Sequence, residues 1–172
     1  MAVTHTWIPF DSSVGLQPIE DTETAAPSGM YLGKRCKARH ETYGQGEFIY
    51  LLGVASTVVG SLVRYWATTW QTTLITNTAV QVGPVAVAMS ANVAAQYGWY
   101  QDEGLAVIKK TAVVFTPQVA IYISGTAGRV KAVASAGLQI VGARTANLAT
   151  VASATSTITV LVNRPHAQSQ IT

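Results

Sequence analysis

Charge is scarce in this chain. Lys, Arg, Asp and Glu make up 11% of its 172 residues, against about a quarter in an average soluble domain. That falls well short of the dense cationic footprint of a nucleic-acid-binding protein, and only the run KRCKAR, Lys34–Arg39, concentrates positive charge. We read this run as a solvated or protein-facing strand and expect no nucleic-acid partner. Cysteine is scarcer still. With Cys36 alone, an intrachain disulfide is excluded and the fold must do without redox support. Histidine occurs only as His5, His40 and His166, so the groups that acid–base chemistry tunes are few and far apart in sequence.

A long apolar run is also missing. The uncharged stretch Phe48–Val63 is shorter than the about 20 residues of a spanning helix, and Gly53, Ser56, Thr57, Gly60 and Ser61 interrupt it. Glycine costs a helix roughly 1 kcal/mol relative to alanine, while Val54, Val58, Val59 and Val63 favour a pleated environment. We therefore read GEFIYLLGVASTVVGSLVRY, Gly46–Tyr65, as strand, glycine-containing turn, strand, with no membrane partner. Within it Phe48, Tyr50 and Leu52 share one face and Ile49 and Leu51 the other, so FIYLL fits a strand covered on both sides. The start, MAVTHTWIPFD, lacks a basic segment followed by an apolar one, which leads us to expect no signal peptide and assembly in the cytoplasm.

Catalytic signatures are absent too. There is no GxSxG elbow, and SGTAGRVK, Ser124–Lys131, lacks the Gly-Lys-Ser/Thr ending of a phosphate loop. Cys36, His40 and Glu41 form a metal-like group without the second pair that zinc requires, which favours a structural or surface role. Asp102 and Glu103 are adjacent, so on a strand they point to opposite faces, and in QDEG they read as turn residues. We expect no enzyme, no cofactor and no metal.

What the chain does have is a patterned β sequence. The runs 31–39, 47–53, 60–66, 73–76, 84–89, 95–100, 104–110, 119–124, 128–133, 138–143 and 157–163 read as strands separated by turn signals. Such recurrence predicts an all-β fold, a jelly roll or β-barrel-like sandwich, over residues 31–172. SANVAA, Ser90–Ala95, with a serine cap and helix formers, is the one stretch that admits a short helix. Residues 1–30 differ: three of the six prolines fall there and apolar periodicity does not, which predicts an extended N-terminal arm. Trp7, Ile8, Phe10, Leu16 and Ile19 make that arm too apolar for a free linker, so they are the residues expected to contact a partner surface or a neighbouring subunit, and the remaining domain is expected to fold without the arm. Trp66, Trp70, Trp99 and Tyr100 are the candidate interface aromatics.

Five stretches in order, YGQGEFIYLLGVASTVVGSLVRY, GPVAVAMS, YGWYQDEGLAV, AGRVKAVASAG and VLVNRP, resemble a family of tailed-bacteriophage head proteins that decorate, or cement, the capsid. The resemblance covers Tyr43–Pro165 and leaves the arm outside it. It implies a β-rich module on the outer surface of the virion capsid, a homotrimer that bridges neighbouring major capsid protein subunits and stabilises the head. Two other readings stay open on the sequence: a virion surface carbohydrate-binding module stacking sugars on Trp66, Trp70 and Trp99, or a tail or neck structural subunit.

Overall fold

In the computed structural model, residues 6–10, 17–26, 29–77 and 81–168 are described. Leu16, His5 and Pro27 lie outside them. The described residues contain strands and turns and no helix. In chain order the strands are β1 Trp7–Pro9, β2 Thr22–Glu23, β3 Arg35–His40, β4 Gly44–Leu52, β5 Leu62–Tyr65 and β6 Thr72–Leu74, then β7 Val82–Ala88, β8 Tyr97–Lys109, β9 Ala120–Ile123, β10 Val130–Lys131, β11 Gln139–Thr145 and β12 Thr157–Gln168.

All strand pairs are antiparallel and follow the order β1-β3-β4-β8-β7-β12-β11-β9-β10, with β2 added to β8 and β5 and β6 branching from β7. The path runs from β1 to β10 without closing, so the fold is all-β and not a closed barrel, consistent with a β-sandwich. Strand β8 holds it together. Its first half pairs with β4 and its second half with β12.

Three apolar clusters fill the interior. The largest joins Leu62, Val85 and Val87 of β5 and β7 to Ile108, Ile121, Ile140 and Val160 of β8, β9, β11 and β12. A second holds Ile49, Leu51, Val63, Tyr65 and Tyr100, and a third Trp7, Ile19, Cys36, Phe48, Tyr50 and Trp99. Successive residues of β4 thus enter different clusters: Phe48 and Tyr50 one, Ile49 and Leu51 the other, all four at most 1% exposed. This is the two-sided strand that alternation within FIYLL predicts. At about 25 cal/mol per Å² of apolar area, burying such side chains is the main term stabilising the fold.

Two sequence expectations are corrected. SANVAA is a bend and a turn, not a helix: Ala95 has φ 62° and Asn92 is fully buried. With its amide nitrogen facing the Tyr97 carbonyl and its oxygen the Gly98 N–H, Asn92 lies 3.1 Å from each, and that buried bridge outweighs local helix preference. QDEG, in turn, does not end a strand. Runs 95–100 and 104–110 fuse into β8, where Glu47 faces Glu103 but Phe48 faces Gln101, so Asp102 is the extra residue of a bulge. Gly104, at φ 99°, accepts the backbone conformation that follows it.

The arm is fastened to its own chain. β1 lies antiparallel on β3, and Glu20 accepts hydrogen bonds from the Thr6 and Trp7 N–H groups at 2.9 and 3.1 Å. Pro9 lacks an N–H and the Trp7 N–H is taken by Glu20, so the outer edge of β1 offers little to another strand.

Candidate functional site

Strand β3 alternates exposed and buried residues from Arg35 to Ala38. Cys36 and Ala38 enter the aromatic cluster, while Arg35, Lys37 and Arg39 project outward, so the basic run is a strand with one charged face. Its partners come from distant parts of the sequence. Arg35 pairs with Asp102 at 2.6 Å, Lys37 with Glu47 at 2.8 Å, and Arg164 with Glu47 at 3.0 Å and Glu103 at 3.6 Å. β3, β4, β8 and β12 thereby meet in one charged junction.

Electrostatics differ within this junction. Burial pushes the Asp102 carboxyl above its ordinary range, an effect the Arg35 guanidinium offsets. Glu47 moves the other way, held low chiefly by its hydrogen bond from Lys37. Tyr65, beside Asp102 and Arg35, is raised by burial, as is Tyr100, pushed up to about 12. Three cations, Arg35, Lys37 and Arg164, face three carboxylates, Glu47, Asp102 and Glu103, so formal charge cancels across the cluster.

Next to the junction an open groove of about 660 Å³ is lined by Phe10, Arg35, Cys36, Lys37 and Glu47. A smaller hollow of about 80 Å³, bordered by Gln45, Glu103 and Gly104, shares Lys37 and Glu47 with it. An apolar ring at one wall and paired charges at the other suit a protein side chain better than a free ion.

The arm residues separate into two kinds. Trp7 and Ile19 are 5% and 0% exposed, with Trp7 edge-on to Phe48 at 4.9 Å between ring centres. Their expected docking role on another subunit is corrected: both fill the core of this chain, because β4 and β8 leave Phe48, Tyr50 and Trp99 in need of cover. Ile8 and Phe10 remain 54% and 51% exposed and, among the described arm candidates, are the two whose side chains face outward. Gln17, which sequence reading missed, locks the arm down. Its side-chain carbonyl accepts from the Tyr50 hydroxyl, its backbone carbonyl from Trp99 Nε1 at 2.8 Å, and its amide donates to Asp21 O at 2.8 Å.

The aromatic candidates do not converge. Trp99 and Tyr100 are fully buried, on opposite sides of β8 in different clusters. Trp70 is half-buried, stacked near Tyr65 at 6.3 Å and packed over Gly33, where a Cβ would collide with its ring. Trp66 is exposed, under the Arg64 guanidinium at 4.4 Å. A sugar platform of Trp66, Trp70 and Trp99 is thus not assembled, since Trp99 presents no face to solvent. Cys36 is buried, and His40 Nδ1 accepts from the Thr42 and Tyr43 N–H groups at 2.9 and 3.3 Å, closing the β3–β4 turn. Among the described residues no group of three His, Cys, Asp or Glu could hold a metal ion, and no helix is long and apolar enough to cross a membrane.

Lys110 is another residue that sequence reading passed over. Almost fully buried, its ammonium donates to the carbonyls of Thr111, Val113 and Ser153 at 3.2, 2.8 and 3.4 Å, tying two loops together.

No family model, no curated protein and no solved structure matches this chain.

Proposed function

We propose that the chain is a structural virion protein that decorates and cements the outer surface of a tailed-phage capsid, self-associating as a trimer and bridging neighbouring major capsid subunits. The observation that carries this reading is the ordered set of motifs. GEFIYLL, GPVAVA, YGWYQDEGLAV and VLVNRP occupy β4, β7, β8 and β12, and Glu47, Asp102, Glu103 and Arg164 from three of them enter the charged junction. Four of the five motifs that resemble a capsid family thus lie on neighbouring strands at the centre of the sheet order, while AGRVKAVASAG falls on β10 and the turns that flank it.

The physical character of the molecule supports the same use. An all-β sandwich with small neutral side chains loses little hydration on docking, and interfaces of about 800 Å² per partner repeated over a shell add by multivalency. Ile8 and Phe10, exposed beside the groove, offer the apolar anchors such a contact needs.

The test is direct. Purified protein added to expanded heads of the parent phage is expected to bind at saturable stoichiometry and raise their disruption temperature. Failure to bind heads at any maturation stage would sink the proposal.

A further inference from the structure

The charged junction belongs to a larger surface that the strand registers define. Lys37, Glu47, Glu103 and Asn163 are successive partners across β3, β4, β8 and β12, so their side chains form a row on one side of the sheet. Arg39 stands two residues from Lys37 on the same side of β3, and its register partner is Ile8 of β1. Phe10, two residues beyond Ile8, gives its N–H to the Lys37 carbonyl at 2.9 Å and borders the groove with Lys37 and Glu47. Ile8 and Phe10 therefore share one surface with Arg39, Lys37 and the junction.

Depth sorts the charges on it. The Lys37, Arg164 and Arg35 side chains are 66%, 62% and 39% exposed, against 13% for Glu47, 2% for Asp102 and 43% for Glu103. Glu47 and Asp102 lie beneath their cations, so the side that meets solvent is cationic although formal charge cancels. Arg39 adds an exposed guanidinium with no ion pair to any described residue. Arg164 has φ 43°, a left-handed conformation that a non-glycine residue keeps only where its surroundings fix it, and here it brings the guanidinium to Glu47 and Glu103. A nucleic-acid strand fits this surface poorly: Glu103 breaks the row of cations and would repel phosphates, and Ile8 and Phe10 gain nothing from a hydrated backbone. A polypeptide with carboxylates and apolar side chains matches both parts of it.

We infer that this face, from Ile8 and Phe10 across Arg39 and Lys37 to Arg164, docks an acidic segment of another protein that also carries apolar side chains. Its carboxylates pair with Arg39 and with the donors that Lys37 and Arg164 keep beyond their internal bonds, while its apolar side chains pack on Ile8 and Phe10. The inference rests on the proposed function, under which that protein is the major capsid subunit, and it names the surface that meets it.

Binding of the full chain to heads and to a synthetic peptide tests it. R39E and I8S/F10S, all at exposed positions, are each expected to keep the β circular dichroism of the parent and to weaken head binding about tenfold or more. R144E makes the same charge change at an exposed site on β11 and is expected to leave binding unchanged. Raising salt from about 0.05 M to about 0.5 M weakens binding of the parent, a measurement that needs no variant to fold. A fluorescent peptide of alternating Glu and Leu binds the parent, loses affinity with both variants, and fails to bind when Lys replaces its Glu. Heads that hold the parent and both variants equally refute the docking face alone. Heads that ignore the parent refute cementing alone, and the face falls with it only if the Glu-Leu peptide is ignored too. Self-association that the variants abolish, or binding to an oligonucleotide that R39E abolishes, would overturn the inference by giving the face to a second copy or to nucleic acid.

Discussion

Asp102 and Glu103 illustrate what a sequence pattern conveys at the scale of single residues and what it omits. Strand alternation places neighbours on opposite faces, yet the bulge at Asp102 lets both carboxylates reach the charged junction, Asp102 to Arg35 and Glu103 to Arg164. No local signal in QDEG announces a bulge. The register that creates it is set by β4, distant in sequence, where Glu47 pairs with Glu103 and Phe48 with Gln101. The junction has a pH signature. A carboxyl whose folded pKa is raised, as burial does to Asp102, favours the fold most below its unfolded pKa and loses that contribution as pH rises through the folded value. Removing Arg35 takes away the offset. R35A is expected to cost about 1–3 kcal/mol near pH 7, discounted because the Arg35 side chain is 39% exposed, and less near pH 4. Urea denaturation at both pH values checks this, and an equal cost at the two would refute it. Glu47 has the reverse sign: its lowered pKa stabilises above its unfolded value and the contribution fades as pH falls.

At the scale of elements, strand alternation was legible wherever one face met solvent or two faces met core, as in FIYLL, VAVA and TITVLV. The arm was legible as extended, but not as part of the core, because composition shows that Trp7 and Ile19 need cover without showing who supplies it. Removing the arm would uncover Phe48, Tyr50 and Trp99, so the remaining domain is expected to lose stability rather than fold unchanged. Single substitutions separate the two kinds of arm residue. W7A is expected to lower unfolding free energy by about 3 kcal/mol, whereas F10A changes it by less than about 0.5 kcal/mol while weakening head attachment. A thermal melt and a head-binding assay on each variant decide the matter, and equal destabilisation by both would contradict the assignment. The β8 bulge gives another test. Gly104 has φ 99° and its Cβ position meets the Gln45 carbonyl, so G104A is expected to cost about 2–4 kcal/mol, read from a denaturant midpoint. A neutral G104A would show that β4 and β8 do not need this close approach.

For the molecule as a whole, sparse charge and recurrent strands made the all-β class readable, while layer order was not, since it depends on which strands meet. β4 and β5 follow one another through a turn, yet β5 pairs with β6 and β7 and leaves β4 to β3 and β8. Arg164 was equally hidden: it lies 117 residues from Glu47 and joins it only once β12 is laid beside β8. The same topology puts GEFIYLL, YGWYQDEGLAV, GPVAVA and VLVNRP on the adjoining strands β4, β8, β7 and β12 and leaves the arm's exposed Ile8 and Phe10 at one end of the sheet order. An image reconstruction of the parent phage particle tests the decorating role most directly. The account predicts density matching this all-β chain on the outer face of the head, in contact with neighbouring major capsid subunits. Density confined to the tail or neck, or a head whose outer surface lacks the chain, would contradict it.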